Sequence, residues 1–254
     1  EGVGIDEGYL EKMSEKLGRD ISKISEKIYR IAGEKFNINS PKQLREILFN
    51  KLELPVIKKT KTGASTDESV LARLADMHEL PREILKYREL SKLKATYYDS
   101  MRVLIDGGTG RLHTSFNQTG TVTGRLSSSG PNLQNIPVRT DLGRGIRKAF
   151  VPASGKDILF SADYSQVELR VLAHLSGDRT LKEAFEKDED VHSFTASKIF
   201  DVPIGEVSTE MRSAAKTVNF GIVYGISAFG LSRDLGIPVA EAQKFIDEIG
   251  RASC

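Results

Sequence analysis

Apolar residues recur at α-helical spacing through most of this chain, and the one long lapse in that rhythm falls between residues 112 and 163. Leu10, Met13, Leu17, Ile21, Ile24, Ile28 and Ile31, set among many charges, predict an amphipathic helix or helix pair over residues 9–32. A second helix is expected after Ser40-Pro41, where serine can cap and proline suits the first turn, running through Leu44, Ile47 and Leu48. Val70, Leu71, Leu74 and Met77 start another helical period, and a long helix is expected around residues 84–101 with Leu85, Leu90, Leu93 and Tyr97 on its apolar side. Inside the lapse, residues 112–122 alternate as a strand does, and the Ser/Gly/Pro/Asn-rich residues 127–137 read as loop. The apolar run 158–162 reads as a short strand ending at Asp163, after which Val167, Leu169, Leu172 and Leu175 return to helical spacing. The rest is helical apart from a break near Asp201-Val202-Pro203, with a helix over 209–224. The whole reads as α+β, dominated by helices.

An apolar content of 39% over 254 residues suffices for a sizeable core. Charged residues make up 28% but nearly cancel to +2, so any nucleic-acid contact must come from local patches rather than from global charge. Cys254, the single cysteine, rules out an intramolecular disulfide and a cysteine-based zinc site. No apolar run approaches the roughly 20 residues that span a bilayer, and the opening Glu1-Gly2-Val3-Gly4 lacks signal-peptide character. A cytoplasmic protein with no membrane contact is therefore expected. The start at Glu1 and the ending Gly250-Arg251-Ala252-Ser253-Cys254 suggest a piece cut from a longer chain.

Three places carry chemistry. Asp163, at the end of an apolar run, is suited to hold a magnesium ion, which takes carboxylate oxygens and substrate phosphates; taken alone, it reads sooner as the cap of the next helix, a role aspartate fills often. In the helix over 209–224, Arg212, Lys216, Phe220 and Tyr224 recur every fourth residue, drifting about 40° per step and so sharing one face. Two cations followed by two aromatics suit a ligand with phosphates at one end and a flat base at the other. Ala214, Ala215, Val218 and Ile222 form the packing face, and Gly221 and Gly225 would allow close approach to the backbone. The third place is the basic loop from Lys58 through Lys59 and Lys61 to Thr66, which alone would read as a solvated surface loop.

Asp163-Tyr164-Ser165-Gln166-Val167-Glu168-Leu169-Arg170 resembles the first catalytic motif of family A DNA polymerases, the bacterial DNA polymerase I type. The stretch from Arg212 to Gly225 resembles that family's nucleotide-binding fingers helix, and the stretch from Thr123 through Arg125, Gln134 and Asn135 to Pro137 gives a third match in the right order. The resemblance implies a right-hand architecture, with a mainly helical thumb over 1–105, a partial antiparallel palm sheet over 106–185 and partial fingers over 186–254. It implies that Asp163 and the Tyr164 carbonyl bind a pair of magnesium ions, that Glu168 excludes ribose, and that Gln166 also lies in the nucleotide site. His192, Arg212 and Lys216 would hold the triphosphate, with Lys216 protonating the departing pyrophosphate; Phe220 would pack on the nucleotide and Tyr224 fill the template-base site before closure. Arg125, Gln134 and Asn135 would touch the primer-template minor groove, and Lys58, Lys59, Lys61 and Thr66 would belong to a thumb tip that grips phosphates. The partners implied are primer-template DNA and deoxynucleoside triphosphates, for a monomer associated with the bacterial nucleoid and serving replication and repair.

One departure stands out. The family's second metal-binding aspartate lies in a His-Asp-Glu triplet, and these 254 residues contain none. The chain alone is therefore expected to be inactive, although its parent would copy DNA. A non-catalytic DNA-binding module that keeps thumb and fingers is the alternative; a generic phosphate-binding helical protein would leave Asp163 and Glu168 beside the fingers helix unexplained.

Overall fold

In the computed structural model the first helix begins where the Asp6 carboxylate accepts the Tyr9 N–H at 2.8 Å, and it ends at Gly33, whose φ of 75° few other residues adopt without strain. The structure describes residues 1–61, 63–138, 140–152, 157–177, 179–187 and 189–252, with backbone alone at 180, 222, 223 and 248–252. It divides into two compact units, Glu1–Phe160 and Ser161–Cys254.

The first unit opens with β1 (Val3–Ile5) and α1 (Glu7–Ala32), followed by α2 (Pro41–Arg45), which Ser40 caps. A short hairpin of β2 (Lys59–Thr60) and β3 (Gly63–Ala64) precedes α3 (Glu68–Leu74) and α4 (Glu79–Leu93). Widened turns over Lys94–Asp99 carry α4 into α5 (Ser100–Val103), so the predicted helix over 84–101 is longer at both ends. Next come β4 (Arg111–Leu112), β5 (Ser115–Asn117), β6 (Ser127–Ser129), α6 (Asp141–Ile146) and β7 (Phe150–Val151).

Two apolar clusters show how α1 lies along α4. Leu10 and Leu17, early in α1, pack with Leu90 and Leu93, late in α4; Ile28 and Ala32, late in α1, pack with Leu80 and Ile84, early in α4. The two helices therefore run antiparallel. The same stripe that predicted α1 supplies both clusters, so pattern and packing agree. β1 is the centre of a three-stranded antiparallel sheet in the order β4-β1-β7. Gly4 is required there: a Cβ would lie 2.5 Å from the Val151 carbonyl oxygen.

Three local predictions are corrected. The strand predicted over 112–122 ends at Asn117, whose side-chain oxygen accepts the Thr119 N–H at 2.9 Å and turns the chain. Residues 127–129, read as loop, instead pair as β6 with β5, Ser115 opposite Ser129 and Asn117 opposite Ser127; serine composition hid a strand whose backbone had a partner. Residues 158–162 form no strand among the described residues. Ile158 and Phe160 are more than four-fifths exposed, and an apolar run becomes a strand only beside another strand.

The second unit is helical among its described residues: α7 (Val167–Ser176), α8 (Arg179–Glu186), α9 (Val191–Ile199), α10 (Thr209–Val223), α11 (Ala228–Leu235) and α12 (Val239–Ala252). Leu169, Ala184 and Val191 bury one core, and Val218, Leu231, Ala242 and Phe245 another. None of the described helices is long and apolar enough to cross a membrane.

Candidate functional site

Polar side chains link the α9 and α10 helices. Ala215 and Val218 of α10 are fully buried, which turns the flanking face with Arg212, Lys216 and Phe220 away from the core. Lys216 is exposed, Arg212 and Phe220 are half-buried, and Tyr224, just past the helix end, is largely exposed. The side chain of Ile222, expected on the packing face, lies outside the described residues.

Asp190 starts α9. Its Oδ1 accepts the Ser193 N–H at 2.9 Å, and its Oδ2 accepts from Arg212 Nε at 2.9 Å and Nη2 at 2.6 Å. Burial pushes this carboxyl up, but the Arg212 guanidinium and the Ser193 N–H outweigh it and hold it below the usual carboxylate range. Two residues on, His192 is buried, its Nδ1 3.0 Å from the Asn219 amide nitrogen and its ring centroid 5.7 Å from that of Phe220. Burial lowers the His192 pKa; Asp190 opposes this, while Arg212 and Lys216 add to it. If the Asn219 amide donates to Nδ1, the neutral imidazole keeps its proton on Nε2, where it can serve as a donor.

Asp190 and Asn219 belong to this arrangement although the four-residue rhythm of cations and aromatics skips both. A capping signal was present for the first, in the Asp190-Val191-His192-Ser193 sequence. Asn219 carried none: its position beside Phe220 acquires meaning only when His192 is packed against it. Gly221 does admit a close approach to the backbone, and the group that uses it is the protein's own: a Cβ there would meet Ile226 Cγ2 at 2.9 Å.

Asp163 and Tyr164 lie in an exposed segment without helix or strand. Asp163 is not the helix cap: α7 starts after Gln166, whose φ of 51° is left-handed and whose buried Oε1 has no hydrogen-bond partner among the described residues. Arg170 Nε donates to the Ser165 carbonyl at 3.0 Å while its guanidinium lies 4.6 Å from the Phe185 ring centroid, tying this segment to α8. Glu168 is half-buried on the first turn of α7. A carboxylate and a carbonyl are hard oxygen donors that fit magnesium, but among the described residues no group of three or more His, Cys, Asp or Glu gathers as a metal site.

In the first unit, Lys59 and Lys61 are exposed at the β2–β3 hairpin; Thr62 lies outside the described residues. Lys58 instead donates to Asp67 Oδ2 at 2.8 Å, and Asp67 also takes Ser65, Ser69 and the Val70 N–H, which hold its carboxyl far below the usual range. Thr66 is buried at the hairpin base rather than displayed at the tip, with its carbonyl accepting from Arg88 at 2.6 Å. Arg125, Gln134 and Asn135 are exposed on the segments either side of β6, whose buried Ser128 receives the Leu133 N–H on its Oγ at 3.2 Å. Gln134 Nε2 donates to the Leu126 carbonyl at 3.1 Å, and the Asn135 carbonyl accepts from the Tyr97 hydroxyl. Asn135 also lines a groove of about 1370 Å³ beside α4, where the cations Arg82, Lys86, Arg88 and Lys92 outnumber the carboxylates Glu68 and Glu89. Sequence periodicity placed α4 in the core and so overlooked these cations, which occupy its other side.

A family model described as DNA polymerase family A matches residues 7–251. DNA polymerase I of Bacillus subtilis is 54% identical over 246 residues, covering 97% of this chain and 28% of that protein. The thermostable DNA polymerase I of Thermus aquaticus is 53% identical over 248 residues, covering 97% and 30%. Among solved structures, the POL domain of Pol1 from M. smegmatis, in complex with DNA primer-template and dNTP, superposes with a TM-score of 0.86 at 44% identity, covering 97% of this chain and 43% of that one. The chain thus spans less than a third of the length of these two curated relatives.

Proposed function

The chain belongs to DNA polymerase family A, and from that premise we propose that it is the thumb (1–105), part of the palm (106–185) and part of the fingers (186–254) of an enzyme that extends a DNA primer with deoxynucleotides chosen by a template. The observation that carries this reading is the joint face of α9 and α10, where buried His192 of α9 packs beside α10, which carries ion-paired Arg212, exposed Lys216 and Phe220 along one side. Charge-assisted donors at one end and a ring at the other suit the triphosphate and base of a nucleotide.

In the proposed reaction the primer 3′-hydroxyl loses its proton to water as its oxygen bonds to the α-phosphorus and the bond to the bridging oxygen breaks; the Lys216 ammonium gives a proton to the leaving pyrophosphate and regains one from solvent. Asp163 and the Tyr164 carbonyl would hold magnesium, which when bound offsets the charge on the phosphates. Glu168 would occupy the volume a 2′-hydroxyl needs, Gln166 would support the nucleotide site from the start of α7, and Tyr224 would wait in the template-base position. The α4 groove with Asn135, together with Arg125, Gln134, Lys58, Lys59 and Lys61, would receive duplex DNA through phosphates and minor-groove atoms, hence without sequence preference. The protein would act as a monomer in the bacterial cytoplasm at the nucleoid, in replication and repair. With Asp163 but no His-Asp-Glu triplet, the 254 residues would bind substrate without turning it over.

Calorimetric titration of the protein with dTTP, dTMP and thymidine in magnesium buffer tests the site. Affinity should fall in that order, and Lys216→Ala should weaken dTTP binding about tenfold while leaving thymidine unchanged. Equal affinity for dTTP and thymidine, or no effect of Lys216→Ala, would remove the triphosphate from this face.

A further inference from the structure

The Asp190 carboxylate faces two ways. One oxygen caps the helix that carries His192, and the other holds Arg212 of the neighbouring helix through Nε and Nη2. Nothing in the family motifs that mark Arg212 and Lys216 assigns Asp190 a part, yet both ends of its reach fall on groups proposed to bind phosphate.

A purely stabilising role explains this poorly. The side chains are 41% and 37% exposed, and pairs so open to water add little to stability. Orientation is a better account. A free arginine side chain samples many rotamers, and fixing it before the ligand arrives removes that ordering cost from the binding step. The fork is held along its Nε–Nη2 edge, which leaves Nη1 for another anion. The carboxyl, which Arg212 and the Ser193 N–H hold below its ordinary range, is ionised at neutral pH.

We propose that Asp190 is a positioning residue of the triphosphate site, presetting the Arg212 guanidinium for an incoming phosphate while its cap sets the start of the helix that presents His192. This rests on the reading that the α9 and α10 face receives the triphosphate.

Two substitutions separate the orienting contact from the cap. Asp190→Ser keeps a capping oxygen for Ser193 but is too short to hold the guanidinium, whereas Asp190→Glu keeps a carboxylate that can still accept from Arg212 while capping less well. Both should melt close to the parent protein. In the dTTP titration, Asp190→Ser should lose about tenfold in affinity, as one ordered charge-assisted contact would cost, and Asp190→Glu should stay within about threefold. In 15N-arginine-labelled protein, exchange of the Arg212 Nε–H should quicken in Asp190→Ser and not in Asp190→Glu. A serine variant that binds within about threefold of the parent, a glutamate variant no better than serine, or unchanged Nε–H exchange overturns the proposal. Lys216→Ala, run alongside, tells the two failures apart: if it weakens dTTP and Asp190→Ser does not, only the positioning role falls. If Lys216→Ala has no effect or the parent does not bind, the site reading falls and takes the inference with it.

Discussion

Phe220 shows how much a single atom can decide at this site. Its ring is half-buried, 5.7 Å from the ring of His192, with no hydroxyl to offer a sugar. In a polymerase carrying this chain in frame with a relative's His-Asp-Glu segment, Phe220→Tyr would add a donor near the nucleotide 3′ position. Chain termination by dideoxynucleotides in a primer-extension assay should then rise about tenfold or more relative to deoxynucleotides; an unchanged ratio would take Phe220 away from the sugar. Glu168 is argued the same way from volume. It sits half-buried on the first turn of α7, five residues beyond Asp163, and Glu168→Ala would open space for a 2′-hydroxyl. The preference for deoxy- over ribonucleotides should shrink by about tenfold to a hundredfold, measured as the ratio of matched incorporation rates. Retention of the parent preference would show that another residue excludes ribose.

At the scale of elements, α9 and α10 are joined by a histidine whose charge state matters to their packing. Burial depresses His192 below its usual 6.5, so the unfolded chain binds the proton more readily than the folded one. The stability this gives is complete above pH 6.5 and is lost as pH falls through that value toward the depressed folded pKa. Asp190 also has a lowered pKa, but its contribution fails only as pH drops through the carboxylate range below 3.8, which separates the two windows. Urea unfolding should give a lower midpoint at pH 5.5 than at pH 7.5, and His192→Gln should flatten that dependence; equal slopes in both proteins would mean His192 is not the group. The elements themselves differed in how plainly the sequence announced them. α1 and α10 follow apolar periods that their buried faces satisfy, and Asp163, Arg212, Lys216 and Phe220 stood out from spacing and motif alone. β6 did not, because a run of three serines has no apolar alternation and is a strand only through its register with β5. Residues 158–162 erred in the opposite direction, having strand composition but no partner strand among the described residues. Asp190 and Asn219 escaped notice because each acts across a helix–helix contact that no local pattern encodes.

Taken whole, the chain divides its proposed labour between two compact units, with duplex-facing cations in Glu1–Phe160 and nucleotide-facing groups in Ser161–Cys254. Positive charge is placed, not accumulated. A net charge of +2 gives little general attraction for a polyanion, yet Arg82, Lys86, Arg88 and Lys92 line one groove in excess of its carboxylates Glu68 and Glu89, and Lys59 and Lys61 stand out on one hairpin. Carboxylates are less well supplied. Aligning a primer hydroxyl, an α-phosphate and a leaving group between a pair of divalent ions takes oxygen ligands on more than one side, and Asp163 with the Tyr164 carbonyl is one side. The 254-residue protein should therefore bind primer-template and dNTP but leave the primer unextended in a gel assay with magnesium. Joined in frame to a relative's segment bearing the His-Asp-Glu triplet, it should extend the primer, and Asp163→Ala in that fusion should abolish extension. Template-directed synthesis by the 254 residues alone, lost on Asp163→Ala so that a contaminating polymerase is excluded, would show that the chain carries a complete set of metal ligands after all.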